Sequence, residues 1–274
     1  MAINKDSVGG TLLVAFLVCV VCAIVVATAA VGLRPLQDEN RVLDMRMNVL
    51  QAAGLYEPGM DVNAAFERIQ RRFVDLDTGE FVEMPESYDQ RRAARDPATS
   101  SRLASSEDIA SIRNRPDVAE VYLSVSDDGD VQVIILPVSG YGLWSTLHGF
   151  LALGSDVNTV VGLGFYEHAE TPGLGGEIDN PRWKGIWPGK ELYNDSGDLA
   201  IEVLKGTVDS GAASAKHQID GLAGATLTTK GVDNLIQFWL GSKGFGPFLE
   251  RLRSASTNSV DDSEDDEFTV SVVN

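Results

Sequence analysis

An uncharged apolar run near the N-terminus constrains the architecture of this chain more than any other feature. Residues 11–33 are almost wholly apolar, and no charged residue lies between Ser7 and Leu33. At about 1.5 Å per residue, a helix of this length spans roughly 35 Å, slightly more than the ~30 Å hydrocarbon core of a bilayer. The run therefore predicts a transmembrane helix over 11–33, in contact with membrane lipid and preceded by a short N-terminal segment, 1–10.

A cleaved signal peptide is the alternative interpretation of this run. Ala27-Thr28-Ala29 resembles a small-residue cleavage site. However, a single lysine precedes the run, and the run is longer than the usual apolar core of ~7–15 residues, so a retained anchor is favoured. The flanking charges do not set its orientation, because Lys5 lies on one side while Arg34 and Arg41 lie on the other.

The charge of the chain excludes nucleic acid as a partner. Lys and Arg number 22 against 40 Asp and Glu, which gives a formal charge of −18. Nucleic-acid binding requires a basic surface that displaces counterions from phosphates. The apolar share of 44% is that of a folded protein with a core.

Residues 34–253 predict one α+β domain with a largely antiparallel sheet flanked by helices. An acidic tail, 254–274, is predicted to be disordered, and 87–108 is predicted to be exposed and partly mobile. Within the domain, apolar periodicity and turn residues predict an exit helix over 34–54, a helix over 62–73, a β-hairpin of 118–125 and 131–137, strands over 159–166 and 199–205, and a short helix over 229–239.

Residues 220–229 predict a tight turn that opens a helix. Two glycines, small alanines and the hydroxyls of Thr226, Thr228 and Thr229 stand directly before an apolar helical pattern. Unpaired backbone N–H groups at a helix start attract phosphate. The alternative is ordinary N-capping by a threonine, which the local chemistry alone favours.

The segment Asp220-x-x-Ala223-Gly224-Ala225-Thr226 resembles the flavinylation motif of the FMN-binding domain family. The resemblance implies that a flavin transferase splits FAD and joins FMN covalently, through its phosphate, to the hydroxyl of Thr226. Ala223 stands where the family usually has Ser or Thr. Because Ala223 is not the acceptor, the resemblance still implies attachment at Thr226.

A second block, Glu170-Thr171-Pro172-Gly173-Leu174-Gly175, resembles the glycine-containing loop that lies beside the flavin in this family. On its own the block is typical of a surface turn. Together the two blocks imply that Thr226 and its neighbours form a flavin site, whose other expected members are Asp220, Gly224, Ala225, Leu227, Thr228, Glu170, Thr171, Gly173, Leu174, Gly175, Tyr141, Trp144 and Lys216.

Some members of this set, and Trp183 in addition, are expected from their chemistry. Tyr141, Trp144, Leu174 and Trp183 have apolar or aromatic groups suited to the flat face of an isoalloxazine. Lys216 has a charge that suits the phosphate. Ordinary core packing of the apolar groups, and a solvated lysine, remain the alternatives.

The anchor, residues 50–55 and residues 140–145 extend the resemblance along the chain. They are similar to the NqrC family, the flavin subunits of the sodium-translocating NADH:quinone oxidoreductases, whose close paralogue is the G subunit of Rnf-type complexes. The resemblance implies an electron-relaying subunit that works with the other subunits of such a complex. It also implies a location in the bacterial inner membrane, with the flavin domain outside the cytoplasm, and a chain that does not catalyse the full reaction alone.

Catalytic residues and a metal site are not predicted. His148, His168 and His217 are scattered, without a zinc motif. Cys19 and Cys22 share one face of the apolar helix. Apolar packing of these thiols is favoured over a metal shared with another membrane protein, because two thiols do not complete a coordination sphere. Two further hypotheses are a membrane-anchored, non-redox binding or structural module and a flavoenzyme with its own substrate.

Overall fold

The computed structural model describes residues 8–261, with side chains through residue 255. Helix α1 runs from Val8 to Ala52 and continues through Pro35. The predicted membrane helix and the predicted exit helix are therefore one continuous element, which ends just before Gly54, where φ is 68°. The chain divides into two compact units, Met1–Met45 and Arg46–Asn274.

The described part of the first unit is α1 from residue 8 to residue 45, which contains the apolar stretch of the helix. In its most apolar stretch the mean hydropathy is 3.1 over 18 residues, and no part of that stretch is buried. Large side chains such as those of Leu12, Phe16 and Ile24 are more than half exposed. Among the described residues, α1 is the one helix that is long and apolar enough to cross a membrane.

The second unit is built on a five-stranded sheet in the order β1-β4-β5-β6-β7, with every neighbouring pair antiparallel. A mostly antiparallel sheet with helices confirms the predicted α+β class. The strands are β1 Ile69–Asp75, β2 Ser100–Arg102, β3 Asn114–Pro116, β4 Val118–Val125, β5 Val131–Tyr141, β6 Thr146–Gly154, β7 Val160–Glu167, β8 Glu202–Val203 and β9 Gln218–Ile219. The further helices are α2 Val62–Phe66, α3 Gln90–Ala93, α4 Pro181–Lys184, α5 Thr226–Leu240 and α6 Gly246–Asp261, with 3-10 helices at Gly175–Asp179 and Ala213–His217.

Helix α5 covers one face of the sheet. It packs on β5, where the indole N–H of Trp239 donates to the carbonyl of Ser139 at 2.7 Å. Leu235 and Trp239 of this helix join Leu163 of β7 in the main hydrophobic core. Since alternate residues of a strand face opposite sides, Gly162 lies on the other face.

The last two turns of α1 pack on that other face. Val49, Leu50 and Ala52 are buried, and the carbonyl oxygen of Ala52 lies 2.5 Å from the position that a Cβ on Gly162 would occupy. Only a residue without a side chain permits this approach of helix to strand. The sheet is therefore covered on both faces within the second unit.

Several predicted elements are confirmed, and others have different bounds. The hairpin of β4 and β5 turns at Gly129, where φ is 92°, and β7 matches the predicted strand 159–166 closely. The predicted helix 62–73 is wrong beyond Phe66, because Ile69–Asp75 pairs with β4 along its whole length. Short apolar runs fit both periodicities, so cross-strand pairing decided the outcome.

Three further boundaries differ from the sequence-based expectation. The predicted strand 199–205 contains only the two residues of β8, and α5 begins three residues earlier than predicted. The stretch 87–108 contains α3 and β2. Helix α6 continues through 254–261, so the predicted tail begins inside a helix, while 262–274 and 1–7 lie outside the described residues.

We expect Gly162→Ala to destabilise the second unit. The new Cβ would overlap the carbonyl of Ala52, and overpacking of this kind costs about 1–3 kcal/mol. Gly164→Ala is the matched control, because a Cβ there meets nothing within 4 Å, and it is expected to change stability by less than about 0.5 kcal/mol. Denaturant unfolding of the full chain in detergent, followed by tryptophan fluorescence, measures both variants. Equal stabilities would contradict the packing of α1 on β7.

Candidate functional site

The segment 220–226, here called the Thr226 segment, ends at the first residue of α5. Ala225 takes the N-cap position and makes no side-chain cap bond. Gly224 has a φ of 75°, and the amide of Ala225 donates to the carbonyl of Leu222 at 3.2 Å, which closes a tight turn. Thr226 is exposed. The alternative of N-capping by a threonine is therefore wrong, because the N-cap residue is Ala225. Thr226 lies at the first position of a helix whose initial N–H groups have no side-chain cap.

Asp220 fixes the entry to this segment. Its carboxylate accepts from the amide of Val208 at 2.6 Å, and its carbonyl accepts from the indole N–H of Trp183 at 2.8 Å. Trp183 is buried and packs edge-to-face on Trp187, with 5.5 Å between ring centroids. The expectation that Trp183 flanks a flavin is corrected, because its ring belongs to the core and its polar end supports the main chain at Asp220.

Glu170 is a buried carboxylate that joins two other segments. Oε1 accepts from the amides of Leu143, Trp144 and Ser145 at 3.0, 2.9 and 3.3 Å. Oε2 accepts from the hydroxyl of Thr228 at 2.7 Å. Glu170 is 5% exposed and Thr228 fully buried. One carboxylate therefore ties the residues 141–145, here called the Trp144 turn, to the first turn of α5.

The hydrogen bonds to Glu170 decide its charge. Burial alone would raise the pKa of this carboxyl, but the bonds from Thr228 and from the three amides lower it, and the net shift is below the ordinary value of 4.5. The group is therefore ionised at neutral pH. With four protein donors on its two oxygens, Glu170 organises the site.

Glycines allow the close approach of these segments. A Cβ on Gly175 would lie 2.5 Å from the hydroxyl oxygen of Thr228 and 2.7 Å from Oε2 of Glu170, and one on Gly142 would lie 2.6 Å from Oε1. On α5, a Cβ at Gly231 would lie 2.5 Å from the carbonyl of Tyr141. Gly175 was expected at the site, whereas Gly142 and Gly231 were missed, because their contacts join parts of the chain far apart in sequence.

Apolar side chains form an exposed rim on three segments that meet at this carboxylate. The Cδ2 atom of Leu174 lies 3.3 Å from the position of a Cβ on Gly224, which brings the loop 170–175 against the Thr226 segment. The hydroxyl of Tyr141 donates to the carbonyl of Trp144 at 3.3 Å within the turn. Five residues form this rim, here called the apolar rim. Their exposed fractions are Tyr141 46%, Leu143 38%, Trp144 65%, Leu174 45% and Leu227 61%.

The remaining expected members have separate positions. The carbonyl of Thr171 accepts from the amides of Leu174 and Gly176 at 3.1 and 2.9 Å, and Gly173 has a φ of 76°, so both shape the loop 170–175. Lys216 is not brought to Thr226. Its ammonium pairs with Glu191 and Asp195 at 3.0 and 3.2 Å, and the hydrogen bonds to these carboxylates raise its pKa.

A metal centre has no support in the part of the chain that the structure describes. Residues 8–255, whose side chains are described, contain no group of three His, Cys, Asp or Glu side chains able to hold an ion. Cys19 and Cys22 are free thiols exposed on α1. The candidate site is thus an exposed hydroxyl, an uncapped helix start and an apolar rim.

Family comparison agrees with this geometry. The FMN-binding domain family matches residues 142–241, which include the Trp144 turn except Tyr141, the loop 170–175 and the Thr226 segment. The fold and the site define this part of the chain as an FMN-binding domain.

Relatives identify the particular family. The C subunit of the Na(+)-translocating NADH-quinone reductase from Pseudomonas aeruginosa is 57% identical over 91% of this chain and 98% of its own. Its namesake from Vibrio alginolyticus is 48% identical over 94% of this chain and all of its own. The chain belongs to the NqrC family, the C subunits of Na(+)-translocating NADH-quinone reductases, and the resemblance inferred from the sequence is confirmed.

Solved structures of this family share the fold. The crystal structure of NqrC from Shewanella oneidensis aligns with a TM-score of 0.71 at 35% identity, covering 77% of this chain and 97% of that one. The corresponding protein from Parabacteroides distasonis aligns with a TM-score of 0.61 at 27% identity, covering 79% and 96%. The FMN-binding domain fold of this chain is thus the fold found in NqrC structures.

We expect Glu170→Gln to lower stability in a pH-dependent way. Because the folded pKa of Glu170 lies below its unfolded value of 4.5, its contribution is complete above pH 4.5 and is lost as the pH falls below it. Above that pH the variant should be less stable than wild type by about 1–3 kcal/mol, since the site loses a charged acceptor.

Acid titration of unfolding free energy measures this effect. The titration of His148 contributes equally to the pH dependence of stability in both proteins. Burial first, and the charge of Arg91 second, lower the pKa of His148 from 6.5 to about 4. Its contribution is lost as the pH falls from 6.5 toward 4. The difference between wild type and Glu170→Gln should shrink only below pH 4.5. A difference that stays constant through the acid range would contradict the role of the Glu170 charge.

Proposed function

We propose that this chain is the FMN-carrying, electron-relaying subunit of a membrane-bound, sodium-pumping NADH:quinone oxidoreductase, with FMN attached to Thr226 by a phosphoester. The observation that carries the proposal is the exposed hydroxyl of Thr226 at the uncapped first position of α5, inside the segment that matches the FMN-binding domain family. The proposed redox partners are the other subunits of the complex.

The first turn of α5 suits a phosphate. Thr226 and the two following residues have main-chain N–H groups that lack partners within the helix, and the positive end of the helix favours an anion there. Ala225 has no polar side chain to compete for these groups. A phosphoester on Thr226 therefore places its negative charge where the backbone can accept it. Ala223 is exposed and is not required for this arrangement.

The apolar rim suits the ring system. Tyr141, Trp144, Leu174 and Leu227 would flank the isoalloxazine, while Glu170 and Thr228 hold the three segments in place. When bound, FMN supplies reversible uptake and release of electrons. The protein supplies attachment, orientation and exclusion of water from part of the ring. Lys216 has no part in this proposal, since its ammonium forms ion pairs with Glu191 and Asp195.

Covalent attachment explains how an open site can retain its cofactor. The rim side chains are exposed rather than enclosed, and a site of this kind gives little protection against dissociation. A tether removes that loss, because binding of the ring becomes intramolecular. In this proposal a flavin transferase acts on the chain during maturation, and it can reach Thr226 because the residue is exposed.

We expect the Thr226 peptide to carry FMN less one water after co-expression with the flavin transferase. Thr226→Val keeps the shape of the side chain and removes the acceptor hydroxyl, so attachment should be lost completely. Thr207→Val, at an exposed threonine outside the site, is the matched control and should be flavinylated like wild type. Mass spectrometry and flavin fluorescence after denaturing electrophoresis measure the outcome. An unmodified wild-type peptide, or fluorescence that persists in Thr226→Val, would contradict the assignment.

The proposal also includes a location in the inner membrane of a bacterium, with the folded unit on the extracytoplasmic side. We expect Asp128→Cys, in the exposed turn between β4 and β5, to react with a membrane-impermeant maleimide in intact spheroplasts. The labelling background is Cys19→Ala with Cys22→Ala, since these are the two natural cysteines. Asn4→Cys should be labelled only after permeabilisation. The reverse pattern would place the folded unit in the cytoplasm.

A further inference from the structure

His168 is a largely buried imidazole two residues before Glu170. Its side chain is 14% exposed. One ring nitrogen, Nε2, lies 2.7 Å from Oδ2 of Asp179, and the other, Nδ1, accepts from the amide of Glu170 at 3.2 Å. Because a backbone N–H can only donate, Nδ1 must be unprotonated, and the ring proton lies on Nε2, directed at Asp179. The network therefore fixes the orientation of the ring and the nitrogen that carries the proton.

Asp179 orients this ring from the end of the 3-10 helix Gly175–Asp179. Its second oxygen, Oδ1, lies 3.6 Å from the ammonium of Lys184 in α4. The imidazole is thus held between a paired carboxylate and the main chain. A carboxylate on one nitrogen of a histidine sets the tautomer and orientation in which the other nitrogen acts.

The contacts of residues 168–170 form a continuous connection to the candidate site. His168 accepts from the amide of Glu170, and the amide of the intervening Ala169 donates to the hydroxyl of Ser145 at 2.7 Å. Glu170 then uses its carboxylate to bind the Trp144 turn and Thr228. Asp179 is therefore linked through His168 and Glu170 to the first turn of α5.

We propose that His168, oriented by Asp179, is a positioning residue for the flavin site. Its Nδ1 lone pair fixes the main chain at Glu170, and this aims the carboxylate into the Trp144 turn. The relevance to a flavin rests on the function proposed above. The effect on Glu170 and the Trp144 turn does not require a bound flavin. Loss of the Nδ1 acceptor would leave a donor without a partner at the point where the loop 170–175 begins.

Two substitutions distinguish the roles of the two ring nitrogens of His168. In His168→Asn the side-chain oxygen is as many bonds from Cα as Nδ1 is in histidine, so the asparagine can still accept from the amide of Glu170. His168→Gln reaches the distance of Nε2, where its amide can donate to Asp179, and it leaves the Glu170 amide without that acceptor. Both variants remove the imidazole, so a difference between them reports the Nδ1 bond rather than the loss of the ring.

Amide hydrogen exchange in the flavin-free full chain in detergent tests the proposal. We expect exchange at Glu170 to be about tenfold faster in His168→Gln, as for the loss of one hydrogen bond, with faster exchange also at Leu143, Trp144 and Ser145. His168→Asn should stay close to wild type. If His168→Gln does not fold, Asp179→Ala provides the comparison and should accelerate exchange at Glu170. Equal exchange in wild type, in the Asn variant and in the Gln or Asp179→Ala variant would overturn the proposal.

The flavinylated chain gives a second measurement. The midpoint potential of the flavin should shift in His168→Gln and remain at the wild-type value in His168→Asn, because only the first variant releases Glu170 and the Trp144 turn. Mass spectrometry of the Thr226 peptide is read separately. A wild-type peptide without FMN would refute the proposed function and leave the exchange result on His168 standing. An unchanged potential in the Gln variant with FMN present would overturn the positioning role at the flavin.

Discussion

The buried carboxylate of Glu170 is the interaction on which the candidate site depends. Its two oxygens accept from three consecutive amides of the Trp144 turn and from the hydroxyl of Thr228. A buried charge is tolerated only when hydrogen bonds replace the lost hydration, and here the protein supplies all of them. Three segments that are distant in the sequence are therefore held in one arrangement at the N-terminal end of α5. This arrangement sets the positions of the exposed groups of the site.

The sheet provides the frame for this interaction. The Trp144 turn connects β5 to β6, the loop 170–175 follows β7, and α5 lies across β5. Because β5 and β7 run in the same direction on either side of β6, both strands finish at the same end of the sheet, beside the start of α5. Buried contacts hold the supporting groups, whereas the groups that would meet a ligand, Thr226 and the apolar rim, remain accessible.

The sequence predicted the parts of this structure that local patterns encode. The hairpin at Gly129, the strand β7 and the helix after Thr226 follow from turn residues and apolar periodicity. The four-donor environment of Glu170 did not, because its partners lie up to 58 residues away and no local pattern links them. The same limit applies to Lys216, whose partners are Glu191 and Asp195. For β1, pairing with β4 overrode an ambiguous apolar pattern.

Helix α1 has a consequence for how this protein can be divided. Its last two turns bury Val49, Leu50 and Ala52, and they cover one face of the sheet at Gly162. A proteolytic fragment that starts at residue 46 would retain this cover and remain a complete folding unit. A fragment that starts at residue 62 would expose an apolar sheet face to water and would be prone to aggregate. The boundary at which a soluble form can be released therefore lies inside the helix, several turns beyond its apolar stretch.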